Sequence, residues 1–108
     1  MVKTVDDATF DAEVLASGSP VLVEFGAAWC PPCRMLAPIL EEVAGERSDV
    51  RILTVDVDAN PVSQGRYGVM SLPTLLLFTG GKPLRQVIGL MSKGRLLAFL
   101  DEALEAAA

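Results

Sequence analysis

Val21-Leu22-Val23-Glu24-Phe25-Gly26-Ala27-Ala28-Trp29-Cys30-Pro31-Pro32-Cys33-Arg34-Met35-Leu36-Ala37-Pro38-Ile39-Leu40 decides how the rest of the chain reads. Its first five residues are apolar at four positions, the pattern of a strand covered on both faces. Gly26 to Cys33 hold the breakers of a loop. Beyond it Met35, Leu36, Ile39, Leu40 and Val43 fall on one side of a helix. Pro38 lies inside that helix and is expected to bend it near Arg34 to Ala37. The segment reads strand, loop, helix, and both cysteines sit where loop meets helix.

Upstream, Val2 to Val5 alternates like a short strand, and Asp6-Asp7 cap a helical segment carrying Phe10, Val14 and Leu15. Ser17-Gly18-Ser19-Pro20 supplies the turn that leads into Val21. Downstream, Val50 to Val57 is β-branched and apolar, a third strand ending near Asp56, Asp58 and Asn60-Pro61. A brief helix is expected over Ser63 to Tyr67. Thr74 to Phe78 reads as a fourth strand, joined by Thr79-Gly80-Gly81-Lys82 to a fifth around Leu84 to Ile88. From Ser92 on, Leu96, Leu97, Leu100 and Leu104 mark an amphipathic helix, with a frayed end at Ala106-Ala107-Ala108. Strands joined through helices should run parallel by right-handed crossovers, and strands joined by a tight turn antiparallel. The expected class is α/β: a mixed five-stranded sheet with helices on both faces, one domain over residues 1–108.

Composition narrows the chemistry. Nine basic against fourteen acidic side chains leave a net charge of −5, which repels nucleic acid and anionic membrane surfaces. The chain has no histidine, so Ser-His and Cys-His pairs and imidazole metal sites are excluded. No stretch approaches the about 18 apolar residues that mark a membrane span, and no signal-like leader opens the chain. The expectation is a soluble, cytoplasmic protein.

Cys30 and Cys33 are the only cysteines. A structural bridge across so small a loop would constrain little of the unfolded chain. A zinc site would need two further ligands, drawn from carboxylates alone. A dithiol redox centre needs only a nucleophilic thiolate and a resolving thiol, and a C-x-x-C inside a βαβ pattern favours it. At a helix N-terminus, free N–H groups and the dipole favour a thiolate at Cys30. Cys33, one turn inside, is expected to be the more buried sulfur and to resolve the mixed disulfide. Glu24 interrupts an otherwise apolar strand, so its carboxyl should lie in a poorly hydrated place with a raised pKa, able to take the proton of Cys33. The alternative is an edge or strand-end position whose head group reaches water. Trp29, a large aromatic beside the nucleophile, should shield the sulfur and form part of a flat docking surface. Asp56 and Asp58 read as solvated surface, and the scattered Met residues as core filler.

Val23 to Pro38 resembles the active-site segment of the thioredoxin family. Asp56-Val57-Asp58-Ala59-Asn60-Pro61, Tyr67-Gly68-Val69, Leu72-Pro73-Thr74-Leu75 and Ile88-Gly89 are similar to its other landmarks in order and spacing. The resemblance covers nearly the whole chain and implies a thioredoxin fold with about four helices. It implies a reductase of protein disulfides acting through Cys30 and Cys33, without a bound cofactor or metal and as a monomer. The implied electron donor is a thioredoxin reductase, an NADPH-linked flavoenzyme. It also implies a cis Leu72–Pro73 bond packed against the cysteine pair, with the Leu72 backbone open to an extended substrate segment. Trp29, Pro31, Leu72, Pro73, Gly89 and Leu90 would make the docking surface.

Departures from the family pattern carry their own expectations. Pro31-Pro32 replaces the usual Gly-Pro and is similar to the tryparedoxin active site; the loop should be stiffer. The sulfur of Cys30 should then depend on the N–H groups of Cys33 and Arg34. Glu24 replaces the usual Asp. Gly26 stands where an aromatic is common and Ala28 where a charge is frequent, which should leave the neighbourhood of Trp29 less filled. Other readings are a binding module whose turnover is incidental, and an oxidant or isomerase of an oxidising compartment.

Overall fold

The computed structural model describes residues 1–107. It contains strands β1 (Val2–Thr4), β2 (Val21–Gly26), β3 (Arg51–Asp56), β4 (Thr74–Thr79) and β5 (Lys82–Ile88). Helices α1 (Pro31–Glu46), α2 (Pro61–Arg66) and α3 (Lys93–Ala107) follow the loops, and a single wide helical turn spans Asp11–Leu15. The strands form one sheet in the order β1-β3-β2-β4-β5. β1 and β2 both pair with β3 in parallel, and β4 pairs antiparallel with β2 and with β5. This is the mixed α/β sheet of the thioredoxin fold, with four helical segments.

Local chemistry explains where the elements differ from expectation. Backbone turns with positive φ at both central residues match the twist of a hairpin. Gly80 and Gly81 have φ of 58° and 80°, so pairing starts at once and β5 begins at Lys82 rather than near Leu84. The helix expected at Ser63 begins two residues earlier because Pro61 suits the first helical position. Across the chain, Asp7 satisfies the free amides there, accepting from Val62 N–H at 3.2 Å and Ser63 N–H at 2.8 Å. The turn at Asp11–Leu15 is wider than an α-helix, since the Ala16 N–H reaches back five residues to the Asp11 carbonyl at 3.0 Å. α1 runs on past Pro38. The alanine tail continues α3 through Ala107 instead of fraying, and Ala108 lies outside the described residues.

Alternation along the strands divides the core. Val21, Val23 and Phe25, with Leu53, Val55, Leu76 and Phe78, pack on one face with Phe10, Val14 and Val69. Tyr67 stands edge-on to Phe78 there, ring centroids 5.2 Å apart. Leu22, Ile52, Leu75 and Leu77 point the other way, under Leu36, Leu40 and Val43 of α1 and Leu96 and Leu100 of α3. Each such buried side chain contributes about 1.5–3 kcal/mol. Met35 was expected on the inner face of α1 but is 61% exposed, because the helix meets the sheet through the Leu36, Leu40, Val43 stripe. The same alternation sends Glu24 and Gly26, two and four residues after Leu22, to the face that α1 covers. β2 is the central strand, so Glu24 is not at an edge.

Candidate active site

Cys30 caps the N-terminus of α1 with extended backbone, φ −85° and ψ 108°. Pro31 and Pro32 occupy the first two helical positions and have no N–H to offer. The first free amide of the helix is therefore that of Cys33, which donates to Cys30 Sγ at 3.3 Å. The Arg34 amide was expected to serve the same sulfur. It donates instead to the Cys30 carbonyl at 3.1 Å, closing the first helical turn. The Arg34 guanidinium reaches back to the Ala28 carbonyl at 3.3 Å. The two cysteines form a disulfide with Cα atoms 5.3 Å apart.

Cys33 is not the more hidden residue: Cys30 is 3% exposed and Cys33 8%. The two residues line different depressions. Cys30 lies in a groove of about 450 Å³ walled by Trp29, Pro31, Pro32, Asp58, Met70 and Leu72. Cys33 lies in a cleft of about 410 Å³ lined by Glu24, Gly26, Ala28, Arg34, Ala37 and Asp56.

In the groove, Trp29 is 62% exposed, and its indole N–H donates to Asp58 Oδ2 at 2.6 Å. Asp58 is thus a tether for Trp29 rather than simple solvated surface. Its loop is anchored in turn: the Asn60 amide donates to the Asp56 carbonyl at 2.9 Å, and the Asp7 N–H donates to Asn60 Oδ1 at 2.8 Å. Met70 is 94% exposed on the groove wall, not core filler, because the residues between Val69 and Leu72 run over the surface. No periodicity marks either residue, since their role depends on contacts far apart in sequence.

The Leu72–Pro73 peptide bond is cis, as the resemblance implied. Leu72 is half-buried beside Cys30, and Pro73 is buried next to it. Gly89, at φ +98°, donates its N–H to the Pro73 carbonyl at 2.8 Å. That bond brings Gly89 and the exposed Leu90 toward the site, yet neither lines the groove that holds Cys30. Trp29, Pro31 and Leu72 are brought together; Gly89 and Leu90 lie at one remove.

Glu24 is only 6% exposed, and among the described residues its Oε2 has no hydrogen-bond partner. Burial disfavours the charged form and pushes its carboxyl up to about 7. Its neighbours across the sheet, Thr54 on β3 and Leu75 on β4, supply no charge to offset this. Gly26 does not leave space beside Trp29, as expected from the missing aromatic. A Cβ placed on Gly26 would collide with Glu24 Oε2 and lie 3.2 Å from Cys33 Sγ. The longer acid fills the room that glycine leaves, and carboxyl and sulfur share one small space. A buried acid that titrates near neutrality beside one sulfur, and a helix amide on the other, make a pair suited to thiol-disulfide exchange.

Among the described residues no helix is long and apolar enough to cross a membrane. The family model described as Thioredoxin matches residues 1–102. The chain is 47% identical over 103 residues to a thioredoxin of Mycolicibacterium smegmatis, covering 93% of this chain and 92% of that protein. It is 48% identical over 101 residues to a thioredoxin of Acidithiobacillus ferridurans, covering 93% and 94%. Over 99 residues it is 46% identical to a bifunctional thioredoxin reductase/thioredoxin of Mycobacterium leprae, covering 91% of this chain and 22% of that protein. With one family matched along nearly its whole length and a two-cysteine disulfide at the mouth of its central helix, the chain belongs to the thioredoxin family and is a thiol-disulfide oxidoreductase.

Proposed function

We propose that this chain, as a thioredoxin with a Cys30-Pro31-Pro32-Cys33 centre, reduces protein disulfides with Cys30 as the attacking sulfur, Cys33 as the resolving sulfur and Glu24 as the base that frees Cys33. The observation that carries the assignment is the Cys33 N–H aimed at Cys30 Sγ where α1 begins. That donor and the positive end of the helix favour thiolate over thiol at Cys30. The Cys30 thiolate attacks one sulfur of the substrate disulfide, forming a mixed disulfide and expelling the first substrate thiolate. Cys33 gives its proton to the Glu24 carboxylate, and its thiolate attacks Cys30. The internal disulfide closes, and the second substrate thiolate leaves. Two electrons have passed from the protein dithiol to the substrate.

Trp29, Pro31, Leu72 and Pro73 would hold an apolar, extended segment over Cys30, with Gly89 and Leu90 extending the surface. The exposure of Trp29, Leu90 and Met70 supports a partner with apolar side chains. No bound cofactor is required. The joined reductase and thioredoxin named in the Mycobacterium leprae relative supports a thioredoxin reductase as electron donor, by family resemblance an NADPH-linked flavoenzyme. We read residues 1–108 as one domain, acting as a monomer in the cytoplasm.

The test is an insulin disulfide reduction assay driven by a chemical dithiol. Wild-type protein precipitates the released insulin chain, and Cys30→Ser does not. Activity retained by Cys30→Ser overturns the assignment of the nucleophile.

A further inference from the structure

We propose that Gly26 is a positioning residue for the resolving step: having no side chain, it leaves the space in which the Glu24 carboxyl lies against Cys33, so that Glu24 and Gly26 work as a matched pair. The proposal rests on the reading of Glu24 as the base for Cys33. It begins from strand geometry. Residues 24 and 26 lie on the same face of β2, one repeat apart, beneath the first turn of α1. A Cβ on Gly26 would meet Glu24 Oε2 as its nearest neighbour and Cys33 Sγ at 3.2 Å. Contacts below about 3.4 Å force a neighbour to move. Here the first neighbour is the acid, which must swing away from its place beside Cys33, and the second is Cys33 Sγ itself.

Among the described residues no side-chain hydrogen bond holds the carboxyl in place. Oε2 has no hydrogen-bond partner among the described residues. Facing it from β3 is Thr54, whose hydroxyl pairs with that of Thr4 at 3.2 Å, and from β4 Leu75. From α1 come Cys33 and Arg34, whose guanidinium bonds the Ala28 carbonyl. Asp56, at the end of β3, is the remaining charged group on the cleft. The position of the acid is thus set by shape. Glu reaches about one methylene, about 1.5 Å, further from the strand than Asp would. That extra reach is usable only where the residue two places on is no larger than glycine. The cleft is bordered by the exposed Ala28 and Ala37, so a proton accepted from Cys33 can leave to water.

The experiment mixes reduced protein with a chromogenic aromatic disulfide, which releases one coloured thiolate on attack by Cys30 and a second on resolution by Cys33. Gly26→Ala should leave the first release unchanged. It should slow the second about tenfold at neutral pH and move its pH midpoint, the signature of a displaced base. Glu24→Asp shortens the acid and restores room for a Cβ, so Glu24→Asp/Gly26→Ala should resolve at the rate of Glu24→Asp alone. If alanine costs the same factor in both backgrounds, or if Gly26→Ala keeps the wild-type second phase and pH profile, the pairing is wrong. Should Gly26→Ala fail to fold, thermal melting of the double variant decides: folding restored by Glu24→Asp supports the pair, and equal loss overturns it. Glu24→Gln separates the two levels. A normal second phase in Glu24→Gln overturns the base assignment itself, whereas a slow one together with a normal Gly26→Ala overturns only the pairing.

Discussion

On the Cys30 side of the disulfide the chain presents large apolar groups, the exposed Trp29 and Met70 and the half-buried Leu72; on the Cys33 side Gly26, Ala28 and Ala37 line the cleft of one buried carboxyl. The two sulfurs are only three residues apart and belong to one helical turn. Their surroundings differ because they face different partners. In the proposed mechanism Cys30 meets another protein, and apolar bulk there would both recognise an extended segment and keep water from the reacting sulfurs. In the same mechanism Cys33 does not meet the substrate directly and needs a place to leave its proton. Small side chains keep a buried acid close while leaving it a path to solvent. Both cysteines are buried, yet their surroundings are not alike.

The sharpest way to break this comparison is to remove each sulfur in turn. Cys30→Ser should abolish turnover, a loss on the order of 10³-fold or more in insulin reduction. Cys33→Ser should still attack and then stall, and intact-mass measurement should find the mixed disulfide accumulating on Cys30.

The next effect concerns the Cys33 side and stability. Glu24 titrates near 7 in the folded protein against 4.5 for a free glutamate. Between those values the folded state binds more protons than the unfolded, so stability falls as pH rises through that window. The loss, complete above pH 7, is about 3 kcal/mol for such a shift. Oxidised Glu24→Gln should melt higher than wild type at pH 8 and lose that advantage at pH 4. An equal difference at both pH values would show that Glu24 does not titrate as described.

On the Cys30 side, Trp29→Ala should lower kcat/KM for a protein disulfide about tenfold, since exposed aromatics dominate docking energy. The release of the second thiolate from a small aromatic disulfide should not change. If both fall together, the groove and the cleft are not separate. The smallest effect is expected from Asp58→Asn, which weakens one hydrogen bond to the indole, about 1 kcal/mol or less. Trp29 is the sole tryptophan, so its fluorescence reports the change directly, with a two- to threefold fall in kcat/KM expected from about half a kilocalorie per mole.

The strand order and the two faces of the sheet were legible because they follow from alternation and connection length. Glu24 stood out as a lone acid in an apolar run, and its burial followed from that pattern alone. Trp29 was named from its place as a large aromatic next to Cys30, and Leu72 from the family landmarks. Asp58 was read as solvated surface, which it is, but its bond to Trp29 was not foreseen, and Met70 was misread as filler. Their contacts join a loop after β3, a loop before β4 and the residue before Cys30, and no local pattern encodes such a meeting. Arg34 was given the wrong bond for a simpler reason: helix closure claims its amide for the Cys30 carbonyl before the sulfur can.

What the amino-acid order determined by itself is the redox pair, its place at a helix start, and the fact that two prolines leave Cys33 as the first amide able to reach Cys30. Those depend on covalent structure and short-range geometry. Only the tertiary fold decided that each sulfur opens onto a different depression, and that Gly26 makes room for Glu24. Such features arise when strand, helix and distant loops pack to contact, because the volume left between side chains belongs to no single segment.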